Sequence, residues 1–101
     1  MQRMFDLEGL EERLRSYVQT LGLPEVAATL PIDVLRRGEM QRGEAGRITG
    51  RSERTARSLL ASLVQSGLLV SETVKAPVRL HFSAASADVL FPRLFAAQLQ
   101  G

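Results

Sequence analysis

One pattern fixes the centre of this chain. Between Gly50 and Gly67 the apolar residues Ala56, Leu59, Leu60, Leu63 and Val64 recur at steps of three and four, the repeat of a helix that buries one side and wets the other. Ser52 offers a hydroxyl N-cap with Glu53 in the first turn, where a carboxylate meets the positive end of the helix. Gly67 supplies the left-handed residue that ends it. The spacing predicts a helix from Ser52 to about Ser66, with Ala56, Leu60 and Leu63 inside. Arg54, Arg57, Ser58, Ala61 and Gln65 then lie outside.

The flanking segments obey the same punctuation. Asp6–Leu21 carries Leu7, Leu10, Leu14, Tyr17, Val18 and Leu21 on one stripe, with Asp6 as cap and Gly22 and Pro24 as the stop. Glu25–Leu30 reads as a short helical turn or linker. Pro31 fits a first helical turn, and Ile32–Arg37 is predicted to be a helix ending at Gly38, with Val34 and Leu35 facing the core. Arg42–Ile48 is a further short helix, its buried positions Ala45 and Ile48, closed by Gly50. Gly43 and Gly46 are expected to be small so that helices can pack closely. Beyond Gly67, Leu68–Thr73 and Val78–Phe82 read as two strands around a turn at Lys75-Ala76-Pro77. Val78, Leu80 and Phe82 alternate with Arg79 and His81. Leu69, Leu80 and Phe82 are expected to anchor this hairpin under the long helix.

These elements define a mostly α fold with a small β-hairpin. Two helices joined by a tight turn and followed by a hairpin make a winged helix-turn-helix. An N-terminal amphipathic helix precedes it, and a short helical C-terminal tail follows. That tail is Ser86–Leu99, which holds Leu90, Phe91, Leu94 and Phe95 and is interrupted by Pro92. Residues 1–30 are read as the helix and linker, and 31–101 as the winged domain with its tail.

Composition excludes several functions. The 101 residues contain no cysteine and one histidine, so disulfides and thiolate metal sites are absent and His81 lacks a second imidazole for a metal. No nucleophile–base pair or phosphate loop occurs. The sequence therefore predicts no enzyme, no catalytic residues, no metal and no cofactor. Apolar runs are too short for a membrane span, and charges recur from Arg3 to Arg15 where a signal-peptide core would lie. A cytoplasmic protein without membrane contact is the expectation.

Charge is unevenly distributed. The net is +2, yet residues 36–57 hold seven arginines against three glutamates, a local +4. The arginine fork suits phosphate and guanine. In a double-stranded DNA contact, Arg51, Arg54 and Arg57 reach the groove, with Ser58 on the same outer face. Ser52 and Thr55 are short donors suited to phosphate, Arg42 and Arg47 reach the backbone, and Lys75 reaches a phosphate or the minor groove. A second reading stays open, in which the domain contacts protein through Leu7, Leu10, Leu14 and Tyr17, by pairing of the N-terminal helix in a homodimer or with another domain, and through Phe91 and Phe95.

The run Arg37-Gly-Glu-Met-Gln-Arg-Gly-Glu-Ala-Gly-Arg-Ile-Thr-Gly-Arg-Ser-Glu-Arg-Thr-Ala-Arg57, with Gly67-Leu-Leu-Val-Ser71, Ala76-Pro-Val-Arg-Leu80 and Leu90-Phe-Pro-Arg-Leu-Phe95, resembles the C-terminal winged-helix domain of Fic family proteins. Phe5–Val18 is similar to the helix linking that domain to the Fic catalytic domain. The resemblance implies an accessory module that recognises DNA or positions a protein partner, such as an adjacent Fic catalytic domain, an AMP transferase. It does not carry the activity over. The family's His-Pro-Phe-x-x-Gly-Asn-Gly-Arg loop has no counterpart here, since His81 is followed by Phe82 and Ser83.

Overall fold

A computed structural model of the chain describes residues 7–82 and Leu90; for Leu7 and Glu8 it describes the helical backbone alone. The predicted Asp6 cap and the C-terminal helical tail, apart from Leu90, lie outside these residues. Four α-helices and two short strands follow in order: α1 (Leu7–Thr20), α2 (Thr29–Arg37), α3 (Ala45–Thr49), α4 (Glu53–Ser66), β1 (Leu69–Val70) and β2 (Arg79–Leu80). A 3-10 turn, Glu25–Ala28, leads into α2, and another, Arg42–Glu44, leads into α3. The architecture is mostly helical with one small antiparallel sheet. Among the described residues no helix is long and apolar enough to cross a membrane.

Glycines stop the helices where the sequence places them. Gly22, Gly38, Gly50 and Gly67 all have positive φ, a region that costs other L-residues more. At α3 and α4 a hydroxyl works with the glycine. Thr49 Oγ1 donates to Ala45 O at 2.8 Å and accepts from Arg51 N at 3.2 Å. Ser66 Oγ donates to Leu63 O at 2.7 Å and accepts from Leu68 N at 3.3 Å. Each hydroxyl thus ties the last helical turn to the backbone leaving it. Thr49, rather than Ile48, is the buried residue at the end of α3; Ile48 is half-buried. The hydroxyl is tolerated inside because it is hydrogen-bonded.

One apolar cluster holds the fold together. Leu10, Leu14 and Val18 of α1 join Leu30, Ile32 and Val34 of α2, Ala45 of α3, and Ala56, Leu59, Leu60 and Leu63 of α4. Leu68, Leu69 and Val78 bring in the hairpin, and Leu90 completes the cluster. Arg13 Nε donates to Leu90 O at 2.7 Å, placing that residue beside α1.

The hairpin is shorter than its alternating pattern predicts. Only Leu69 pairs with Leu80 and Val70 with Arg79; His81 N then donates to Leu68 O at 2.8 Å. From Ser71 the chain leaves the ladder because hydroxyls take the backbone groups. Ser71 Oγ donates to Thr73 O, and Thr73 Oγ1 accepts from Lys75 N and Ala76 N. Phe82 is 37% exposed and is not part of the apolar cluster, contrary to its expected place under α4. The inner edge gains what the outer loses. Met40 and Val78 exchange two backbone hydrogen bonds, at 3.0 and 2.8 Å, joining the segment after α2 to the sheet.

Glu44 links α2 to α3. Arg37 bonds both Asp33 and Glu44, Arg47 bonds Glu44 at 2.8 Å, and Gln41 N donates to Glu44 Oε2 at 3.0 Å. The bond from Arg37, then that from Gln41, with a smaller one from Arg47, draw the Glu44 carboxyl from 4.5 down to about 2.

Two expectations follow. A carboxyl depressed in the folded state stabilises the fold above its unfolded value, and that contribution fades as pH falls from about 4.5 to about 2. Glu44→Gln is expected to lower the melting temperature at neutral pH, with the gap to wild type closing on acidification; a gap unchanged from pH 6 to pH 2 would contradict this. Leu14, fully buried, is expected to cost ~2–5 kcal/mol on truncation to Ala, by lost burial plus a residual cavity. Urea denaturation measures this, and a loss under ~1 kcal/mol would mean that α1 is not part of the core.

Candidate nucleic-acid interface

The site is set by the way α4 is held. Ser52 Oγ accepts from Thr55 N at 3.2 Å, capping the helix, and Glu53 stands in its first turn. Ala56, Leu59, Leu60 and Leu63 are buried. Arg54, Thr55, Arg57, Ser58, Ala61 and Gln65 are exposed, as are Arg51 and Ser52 just before the helix. Arg54 and Arg57 lie one turn apart, ~5–6 Å between Cβ atoms. Ser58 and Ala61 are the small residues beside them on the outer face.

The arginines divide by partner. Arg36 makes a two-pronged pair with Glu11 at 2.7 and 2.9 Å, which lowers the Glu11 carboxyl and raises the guanidinium. Arg15 pairs with Glu12, Arg37 with Asp33 and Glu44, Arg47 with Glu44, and Arg79 lies 3.6 Å from Glu39. Arg13 is bound to a backbone carbonyl. Among the described residues, the side chains of Arg51, Arg54 and Arg57 meet no carboxylate and make no hydrogen bond. Arg51 lies in the turn, bordering a hollow with Arg15, Asp33 and Arg36, and Arg54 and Arg57 lie on the outer side of α4.

The remaining backbone-contact positions differ from one another. Lys75 is exposed on the loop after β1. Arg47 is exposed but already paired with Glu44. Arg42 is half-buried: Nη2 donates to Ser71 Oγ at 2.5 Å and Nε is buried without a partner. Arg42 thus acts first as a strut between the 3-10 turn and the hairpin loop, a role its spacing did not reveal.

A cleft of ≈ 280 Å³ runs where this turn, α3 and α4 meet the loop, flanked by Arg42, Glu53, Arg57 and Val74. Gly43 and Gly46 line it. A Cβ on Gly43 would meet nothing within 4 Å, and one on Gly46 would make ordinary contacts, 3.6 Å from Arg51 O and 3.7 Å from Glu53 Cγ. Close helix packing therefore does not require glycine at either position, contrary to the sequence expectation.

The positions expected to face a protein partner are placed differently. Leu10 and Leu14 lie inside the chain's own core, and Tyr17 is half-buried against it. Pairing of α1 with a second copy would need side chains that are already covered. The Leu7 side chain, Phe91 and Phe95 lie outside the described residues. Among the described residues no group of His, Asp or Glu is placed to hold a metal ion.

No protein-family model matches the chain, and neither the curated proteins nor the solved structures contain a significant match.

The cap has a measurable role apart from any ligand. Ser52→Ala is expected to destabilise the fold by ~1 kcal/mol and Ser52→Asp to preserve it, because Asp can also accept from the N–H groups of the first turn. Thermal melts of both variants check this; equal losses would discount the cap.

Proposed function

We propose that the chain is a winged helix-turn-helix module that binds double-stranded DNA, with α3 and α4 as the helix pair and the hairpin as the wing. The observation that carries this reading is the partition of the arginines among the described residues: Arg13, Arg15, Arg36, Arg37, Arg42, Arg47 and Arg79 are engaged, whereas the side chains of Arg51, Arg54 and Arg57 are exposed and meet no partner there. A helix presenting two guanidiniums one turn apart at its N-terminal half suits the major groove, where such helices meet base edges. Thr55 and Ser58 flank that contact. Ser52 and Lys75, with Arg47 if it leaves Glu44, supply phosphate contacts. Arg42 holds the loop that carries Lys75.

By the sequence resemblance, the module serves as the accessory domain of a Fic-like protein. The competing role, positioning a Fic-type AMP transferase by protein contact alone, loses Leu10 and Leu14 to the core and rests on Leu7, Tyr17, Phe91 and Phe95.

Fluorescence anisotropy with a mixed-sequence duplex tests the proposal. Binding is expected to weaken steeply between about 50 and about 200 mM salt, as phosphate neutralisation releases counterions. Arg54→Ala with Arg57→Ala is expected to lower affinity at least about tenfold at the lower salt, given ~1–3 kcal/mol per lost bidentate contact, with the melting temperature unchanged. Binding indifferent to the double substitution would remove α4 as the contact face.

A further inference from the structure

Resting on the DNA reading above, we infer that the exposed face of α4 is built to select G·C base pairs in the major groove. The head groups available there decide it. Guanine offers O6 and N7 as paired acceptors, which an arginine fork meets with two hydrogen bonds; cytosine offers the N4 amine, which a carboxylate accepts; adenine's N6 and N7 call for the amide of Asn or Gln. The first turns of α4 present Arg54, Arg57 and Glu53, all exposed and without a side-chain partner among the described residues. They present no amide. The chain contains no asparagine, and the one amide on α4, Gln65, stands about 16 Å along the axis from Arg54, beyond the N-terminal half that enters the groove.

Two further features fit this assignment. Ser58 and Ala61 are small and exposed beside the arginines, so the helix can come close enough for the forks to reach base edges rather than stop at phosphate. Glu53 lies on the flank with Arg57, its Cγ 3.7 Å from the Cβ position of Gly46, and the two side chains border one cleft. Arginine and glutamate side by side match guanine and the cytosine of the same or the next pair. Glu53 also favours the positive end of α4, but towards phosphate its charge is repulsive, whereas towards the cytosine amine it is an acceptor. The methyl groups of Thr55 and Ala61 can touch thymine, but such contacts lack the two-point geometry of the forks.

Competition anisotropy on the full chain, at fixed low salt, compares two duplexes of equal length whose central ten base pairs are either all G·C or all A·T in mixed order, which avoids the narrow groove of A-tracts. The G·C duplex is expected to bind at least about tenfold tighter. Replacing its guanines by 7-deazaguanine, which removes the N7 acceptor, is expected to abolish most of that preference. Arg54→Gln, which exchanges a guanine reader for an adenine reader at an exposed position, is expected to shrink the ratio at least about threefold while leaving the melting temperature unchanged. Salt-sensitive binding of equal strength to both duplexes, or a preference indifferent to 7-deazaguanine, overturns this inference and leaves the DNA reading standing. No binding to either overturns both.

Discussion

Burial of one side of α4 governs the rest of the structure. Ala56, Leu59, Leu60 and Leu63 belong to one cluster, and α4 packs against α3, the 3-10 turn before α2 and β1, so a helix that buries that stripe is fixed about its own axis. The rotation of the helix decides which side chains meet water. Arg54, Arg57, Ser58 and Ala61 are therefore outward as a consequence of apolar packing, with no contribution of their own to the fold. The frame and the surface it displays are separable: the first is fixed by leucines and alanine, the second by whatever occupies the outer positions.

Local chemistry in the sequence was enough for the helices and their ends. Gly38, Gly50 and Gly67, the Ser52 cap and the stripe of α4 act within a few residues of themselves, so their effects can be read along the chain. The misses are all long-range or competitive. Met40 pairs with Val78 across the whole of α3 and α4, and nothing in the flanking Glu39 and Gln41 marks it as a strand residue. The ladder ends early because Ser71 and Thr73 capture backbone groups that an alternating apolar pattern assigns to the sheet. Thr49 looks like a surface residue until its two hydrogen bonds are seen. The α1 stripe was legible, but whether its partner lay inside or outside the chain was not, since periodicity alone carries no information about what covers a helix.

Charge shows the same limit. The local excess of positive charge in 36–57 was plain from the sequence, but its availability was not. Arg36 is met by Glu11, 25 positions earlier, and Arg37 and Arg47 converge on Glu44. These pairs join α1 to α2 and α2 to α3. What began as a diffuse basic region is resolved by folding into ion pairs at Arg36, Arg37 and Arg47, a hydrogen-bonded strut at Arg42, and, among the described residues, three side chains without a partner at Arg51, Arg54 and Arg57.

The exchange of hydrogen bonds between Met40 and Val78 has a mechanical consequence. It closes a ring of backbone that begins after α2, passes through α3, α4, β1 and the loop after it, and ends at Val78, just before β2. The hairpin cannot peel away from the segment after α2 without breaking both of these bonds. Opening at that edge therefore involves the two segments jointly rather than one at a time. The outer face of α4 and the loop after β1 thus belong to one closed backbone circuit, and a partner that touches both reads two parts of the same loop.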